Sequence, residues 1–233
     1  MPHPANDADP TVERSAAWLP VVAIGLRAVL LALALGLLVL PDVPWLHGKA
    51  MVGRAVFYPL GALVLPVGWW LVSRRRGVAG PYPWAADALL TLPFVTDLLG
   101  NYANLFDRVA WFDDVMHAVN WFFLTAGIGL LLPRPRLGRA VSVGLMLGIA
   151  AVLAILWELL EYVAFIRFSP ELATAYVDTL FDQTMDLTGA TLAAILLVGP
   201  FWPSPEPQPI PAQAEPHDPG PARDDHTASI ASA

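Results

Sequence analysis

Acidic residues and a histidine occur inside apolar segments of the sequence, where ionisable side chains are expensive to bury and therefore indicate function. Three clusters stand out: Asp113, Asp114 and His117 in FDDVMHAVNWFFL, Glu158 and Glu161 in AVLAILWELLEYVAF, and Asp178, Asp182 and Asp186 in YVDTLFDQTMDLTGATLAAILLV. Carboxylate oxygens with one imidazole suit Mg, Mn, Fe or Zn. The same groups are also the components of a proton relay.

The spacing within each cluster is helical. Members of each pair lie three or four residues apart, so they share one helix face. We therefore predict a divalent-metal site with these ligands: Asp113, Asp114, His117, Glu158, Glu161, Asp182 and Asp186. The candidate catalytic residues are His117, Glu158 and Asp182, and no organic cofactor is expected. The simpler alternatives are a hydrogen-bonded structural histidine, and carboxylates in the lipid headgroup region at Asp107, Asp113, Glu171 and Asp178.

The elements that carry these residues are predicted to be transmembrane helices. The chain has 233 residues, of which 56% are hydrophobic and only 14% charged, against roughly a quarter charged in soluble domains. Apolar runs near the spanning length of about 20 residues predict an all-α bundle of about six transmembrane helices, at 18–40, 51–72, 84–100, 112–132, 140–167 and 179–202. The domains are then a tail at 1–17, the bundle at 18–202 and a disordered Pro-rich tail at 203–233.

Charge in the loops predicts the orientation. The segments 73–82 and 133–139 each contain three Arg and no acid, and positive charge marks the cytoplasmic side. Six spans then place both termini in the cytoplasm of a bacterium, with the protein in the inner membrane. The net charge is −7 and Cys is absent. Nucleic-acid binding, disulfides and thiolate sites are therefore not expected.

Helix geometry predicts that the three clusters meet. At 1.5 Å per residue, His117, Glu158 and Asp186 lie about 22, 27 and 24 Å above the cytoplasmic ends of their helices. In a hydrocarbon core of about 30 Å they occupy one layer near the outer leaflet. Their charge requires compensation by a divalent cation, by shared protons, or by Arg residues on the outer side: Arg54, Arg108 and Arg167.

Other polar and aromatic residues have structural interpretations. Arg27 lies too deep in the first span to reach water, and we predict a buried pair with Asp87. Interfacial anchoring is predicted for five tryptophans: Trp69, Trp70, Trp111, Trp157 and Trp202. Close helix packing is predicted at four small residues: Gly189, Ala190, Ala193 and Ala194.

The last three spans resemble the YjdF-like family of bacterial inner-membrane proteins over about residues 95–195. The shared pattern is an acid followed by His117, then Trp-Glu-x-x-Glu at 157–161, then Tyr-x-Asp-Thr at 176–179 leading to Asp182, Asp186 and Gly-Ala. A looser resemblance is to VanZ-like proteins, from which Glu161 and Asp186 depart because Gln and Asn are common there. The resemblance implies a shared polar site and brings no reaction with it.

Three functions fit this pattern. The first is a metal-assisted enzyme acting on a lipid or a phosphate-bearing, lipid-linked small molecule. The second is a cation- or proton-coupled transporter, and the third is a non-catalytic envelope or partner-binding protein embedded in the lipid bilayer. Below the acidic layer the sequence offers only Asp87 and Arg27 as charged groups. That depth distribution favours a one-sided site over a path across the membrane.

Overall fold

The computed structural model describes residues 17–39, 43–77, 80–133 and 137–199, which form an α-helical bundle without strands. Its helices are α1 (Leu19–Val39), α2 (Met51–Ala62), α3 (Val64–Arg76), α4 (Trp84–Tyr102), α5 (Leu105–Arg108), α6 (Phe112–Leu131), α7 (Arg139–Ala164) and α8 (Ala175–Val198). Short 3₁₀ turns occupy Pro44–Leu46, Ile166–Phe168 and Pro170–Ala173.

The predicted bundle of about six transmembrane helices is confirmed. Four segments are long and apolar enough to cross a membrane, namely α1, α2 continued by α3, α6, and α7 with the turn after it. Helices α4 and α8 have 19 and 24 residues, or about 28 and 36 Å, and carry more acid. The predicted tails lie outside the described residues apart from Ala17, and so do Arg134 and Arg136 of the second Arg-rich loop.

Proline explains the interruption between α2 and α3. Pro66 has no N–H, so the Ala62 carbonyl lacks its helical donor and the helix is interrupted at Leu63. Arg27 of α1 donates to that carbonyl at 3.4 Å. The same guanidinium pairs with Asp87 of α4, and the prediction of a buried Arg27–Asp87 pair is confirmed.

Helices α4, α6 and α8 form the centre of the bundle, with α1 packed on α4 and α7 packed on α8. Small residues permit the closest approach between the helix backbones. Ala190, Ala193 and Ala194 are almost completely buried, and a Cβ on Gly189 would lie only 2.0 Å from the Ala118 carbonyl oxygen of α6. The predicted close packing at these four positions is confirmed.

Candidate functional site

Helical periodicity directs the site residues into the bundle. The buried stripe of α7 repeats every fourth residue and ends at Glu158, following Ser142, Met146, Ala150 and Ala154. On α6 the buried residues include His117, Trp121 and Thr125, and on α8 they include Asp182 and Asp186. The acids and the histidine thus occupy core-facing positions of otherwise apolar helices.

His117 is the centre of the site. Its Nδ1 lies 2.8 Å from Oδ1 of Asp186, and when Asp186 is ionised this contact is a hydrogen bond donated by the ring nitrogen, because a carboxylate only accepts. The other ring nitrogen, Nε2, lies 3.6 Å from Oδ1 of Asp182 and 3.7 Å from Oδ1 of Asp113. The Nδ1 edge of the imidazole is therefore held by Asp186, while Nε2 points toward two further carboxylates.

Glu158 joins the group from α7. Its Oε2 accepts a hydrogen bond from the Thr179 hydroxyl at 3.0 Å, whereas Oε1 is buried without a hydrogen-bond partner. Oδ2 of Asp186 is likewise buried and unpartnered. Buried polar atoms in folded proteins are almost always satisfied, so these two oxygens indicate an absent ligand or proton.

Two overlapping sets of three residues could hold a metal ion, because their ligand atoms lie within 4.8 Å of one another. They are Asp113, His117 and Asp182, and His117, Glu158 and Asp186. The first set fits better. Ligands about 2.1 Å from a tetrahedral ion lie about 3.4 Å apart, close to the distances around Nε2. Asp186 then acts as the carboxylate that commonly orients a metal-binding histidine through its other nitrogen.

The charge balance of this group is strongly negative. Asp113, Asp182, Asp186 and Glu158 contribute four carboxylates. Within the described residues the three aspartates form ion pairs with His117 alone, and Glu158 accepts only the Thr179 hydroxyl. Burying several carboxylates without counter-charge is unfavourable. The site therefore requires a cation or bound protons.

A second network surrounds Arg54 of α2. Its guanidinium lies 2.7 Å from Asp97 and 3.1 Å from Glu161, and it donates to the Tyr58 hydroxyl at 2.6 Å. The rings of Tyr58, Trp157 and Phe165 surround it, with centroids 5.8–6.0 Å from its central carbon. This cation compensates the charges of Asp97 and Glu161. It does not neutralise the carboxylates around His117.

The two networks border one cavity of about 540 Å³. Its walls combine charged residues with aromatic and aliphatic ones, and they include Asp113, His117, Asp178, Arg54 and Glu161. The amides of Asn101 and Asn120 also line it. A space of this size suits a small molecule or a lipid head group.

The predicted site residues therefore have three different placements. Asp113, His117, Glu158, Asp182 and Asp186 come together, Glu161 faces Arg54 instead, and Asp114 lies outside both candidate sets. Arg54 is the compensating arginine among the three proposed, whereas Arg167 stacks on Phe168.

Sequence reasoning missed several contacts at the site. It did not find Thr179 beside Glu158, the aromatic residues around Arg54, or the Thr96–Asn120 hydrogen bond of 2.7 Å. It also did not find that the ring of Trp157, predicted to be an interfacial anchor, packs inside the bundle against Tyr58. Polar residues at core-facing positions of α4 and α6 could have indicated the Thr96–Asn120 contact from the sequence.

The fold and the site together define a polytopic α-helical membrane protein with a buried carboxylate–histidine centre. The chain belongs to the family described as "predicted membrane protein (DUF2238)", whose sequence model matches residues 22–201. The looser likeness to VanZ-like proteins receives no support from this match. No curated protein and no solved structure matches the chain.

Proposed function

We propose that this protein binds a divalent metal ion between Asp113, His117 and Asp182 and uses it to act on a phosphate-bearing lipid or lipid-linked molecule. The observation that carries the proposal is the orientation of His117. Nδ1 lies 2.8 Å from the Asp186 carboxylate, and in the neutral imidazole that donates this hydrogen bond the Nε2 lone pair is directed at two carboxylates at metal-ligand spacing. Excess negative charge at the same place supports a cation.

Each residue of the site would have a separate role in binding the metal or in moving a proton. Asp186 fixes the tautomer and ring position of His117, and Asp113 and Asp182 add negative charge that attracts the ion. A bound divalent ion supplies Lewis acidity toward a phosphoryl oxygen and acidifies a bound water. Glu158, whose Oε1 is free of protein partners, is the group available to accept a proton nearby.

The charges of the cavity wall make a phosphate-bearing substrate dependent on the metal ion. Its cations are already engaged, since Arg54 pairs with Asp97 and Glu161 and Lys49 pairs with Asp107 at 2.6 Å. A phosphate group entering this space would therefore depend on the metal for charge compensation. The apolar parts of the wall suit the adjoining lipid portion.

The cellular setting is part of the proposal. We infer a YjdF-like protein of a bacterial inner membrane, with both termini in the cytoplasm and the site near the outer leaflet. The resemblance at residues 157–161 and 176–190 supports the YjdF-like assignment, and the Arg-rich loops support the orientation.

Metal binding is tested on detergent-purified protein. Elemental analysis should find one divalent ion in the wild type and none in Asp182→Ala or Asp113→Ala, with Asp107→Ala as the matched control because that half-exposed acid pairs only with Lys49 among the described residues. Added Mg, Mn, Fe or Zn at a hundredfold excess over Kd should stabilise the wild type by about 2.7 kcal/mol. If none of the four ions changed the melting temperature, the metal site would be rejected and a structural acid network would be favoured.

The reaction is tested separately. Phosphate release from dioleoyl phosphatidic acid in mixed micelles should require the metal and be lost in Asp182→Ala. Glu158→Gln should retain the ion yet lose most activity, because it keeps shape while removing the proton acceptor. Metal-loaded protein without phosphate release from this or a polyprenyl phosphate would reject the enzyme proposal and leave metal binding intact.

A specific observation favours proton-coupled transport as the second candidate. Polar side chains continue along the contact between α4 and α6, below the acidic layer, from the partly buried Thr96–Asn120 pair to the buried Thr91, Thr125 and Asp87. Oγ1 of Thr125 and Oδ2 of Asp87 are buried without partners. Such groups can carry protons across a bilayer.

The two candidates predict opposite behaviour of one variant. In proteoliposomes containing a pH-sensitive dye, transport predicts proton flux that Asp87→Asn abolishes. The enzyme proposal predicts no flux, and full phosphate release by folded Asp87→Asn protein, because Asp87 lies at the far end of the bundle from His117.

A further inference from the structure

A second cavity, of about 590 Å³, lies along the contact between α7 and α8. Three alanines of α7, Ala150, Ala151 and Ala154, leave space opposite α8 residues between Leu180 and Leu192. Leu180, Leu187 and Leu192 are each about half exposed on the outside of the bundle. In a bilayer this surface faces hydrocarbon, so the groove is open to lipid chains.

The length of the groove matches one lipid chain. The twelve residue steps from Leu180 to Leu192 rise about 18 Å, and one leaflet occupies half of the roughly 30 Å hydrocarbon core. The chain of a lipid in one leaflet could therefore lie along the groove over its whole depth.

The groove wall also carries an unpaired donor and an unpaired acceptor. Both Gln183 and Asp186 line it, and they lie three residues apart on one face of α8. Nε2 of Gln183 and Oδ2 of Asp186 are buried without hydrogen-bond partners. An amide N–H₂ and a carboxylate oxygen together complement a group that both accepts and donates, and a hydroxyl is the simplest such group.

We propose that this groove binds a lipid alcohol of the bilayer. Its hydrocarbon chain lies against Ala150, Ala151 and Ala154, and its hydroxyl accepts from the Gln183 amide and donates to Asp186. The proposal goes beyond the proposed function and does not require the metal. It places the ligand on the other oxygen of the carboxylate that orients His117.

The test uses the full-length protein in phosphatidylcholine and phosphatidylglycerol vesicles. The probe is a diacylglycerol with a diazirine in one chain, and the labelled peptides are identified by mass spectrometry. We expect labelling of 150–154 and 183–192. Unlabelled dioleoylglycerol should compete about tenfold better than its methyl ether, because the ether cannot donate to the buried carboxylate.

Three variants locate the binding determinants. Ala151→Phe should fill the groove and remove labelling, whereas Val152→Phe is the matched control, because Val152 is exposed beside it and is not a groove residue. Gln183→Leu should remove the preference for alcohol over ether and leave the His117–Asp186 contact intact. Labelling should survive both chelation and Asp182→Ala, which separates this proposal from the metal site.

Several outcomes would overturn the proposal. Equal competition by alcohol and ether would show ordinary contact with bulk lipid. Unchanged labelling in Ala151→Phe would place the probe elsewhere. Cross-links between two copies of the chain across the groove would show that a second protomer covers it.

Discussion

Replacing Gly189 with Ala tests whether the contact between α6 and α8 builds the site. The added Cβ would lie 2.0 Å from the Ala118 carbonyl oxygen and 2.8 Å from its carbon. These are backbone atoms and cannot rotate away, so the helices must separate by more than 1 Å to reach an ordinary contact.

The magnitude follows from two opposing effects. Overpacking a tight contact costs about 1–3 kcal/mol or more, and a rigid backbone obstacle belongs at the upper end. Ala gains at most about 1 kcal/mol over Gly in helix propensity. We expect a net loss of about 2 kcal/mol, or roughly 4–8 °C in Tm for a chain of this size.

The same displacement should weaken the site. His117 immediately precedes Ala118, and Asp186 lies one turn before Gly189, so the 2.8 Å contact between them spans the separated surfaces. Metal-induced stabilisation should therefore fall in Gly189→Ala beyond what the lower Tm accounts for. The assay is thermal unfolding in detergent with and without divalent metal.

Two glycines of α7 provide matched controls. A Cβ at Gly144 or Gly148 would meet nothing within 4 Å, so Gly144→Ala and Gly148→Ala should leave Tm unchanged or raised. If Gly189→Ala melts and responds to metal as these controls do, the argument that close helix contact sets the site geometry is refuted.

Three further predictions concern charge. Arg54→Ala should destabilise the protein by about 3–5 kcal/mol in chemical unfolding, because it strands Asp97 and Glu161 in a buried place; adding Asp97→Asn and Glu161→Gln should recover much of this, and no recovery would refute the pairing. Arg27→Met should be similarly costly alone and nearly neutral with Asp87→Leu, whereas equal instability of single and double variants would refute the pair. Reporter fusions after Arg76 and Arg139 should both report cytoplasm, and opposite sides would show that a span between them is miscounted.

The sequence was sufficient to locate the helices, because the length of an apolar run identifies a membrane span. The observed helix ends agree with the predicted ones within a few residues for most of them. The start of α8 was placed too late, at 179, because Asp178 interrupts the apolar pattern that the backbone continues from Ala175. Helical spacing was also sufficient to bring His117, Asp182 and Asp186 together.

The division of the acids between two networks could not be predicted. Glu158 and Glu161 are separated by about 60° around the helix, and only the position of Arg54, 107 residues earlier, determines that Glu161 turns toward a cation. Asp113 and Asp114 both lie within one helical turn of His117, yet only Asp113 approaches its Nε2, at 3.7 Å. Such choices depend on long-range packing that no local pattern encodes.

The Arg27–Asp87 pair has a consequence for synthesis of the protein. The partners are 60 residues apart, and at about 5–20 residues per second the first helix waits roughly 3–12 s for its counter-ion. During that interval an unpaired Arg costs about 2.5–3.5 kcal/mol at mid-helix, while each Leu, Ile or Val contributes about −0.3 to −0.6.

Helix α1 contains eight Leu, four Val and one Ile, which together favour insertion by roughly 4–8 kcal/mol. Insertion before pairing is therefore favourable by a small margin. The high content of Leu, Val and Ile in α1 thus has a role that the finished bundle does not reveal: it holds the first helix in the membrane until α4 emerges.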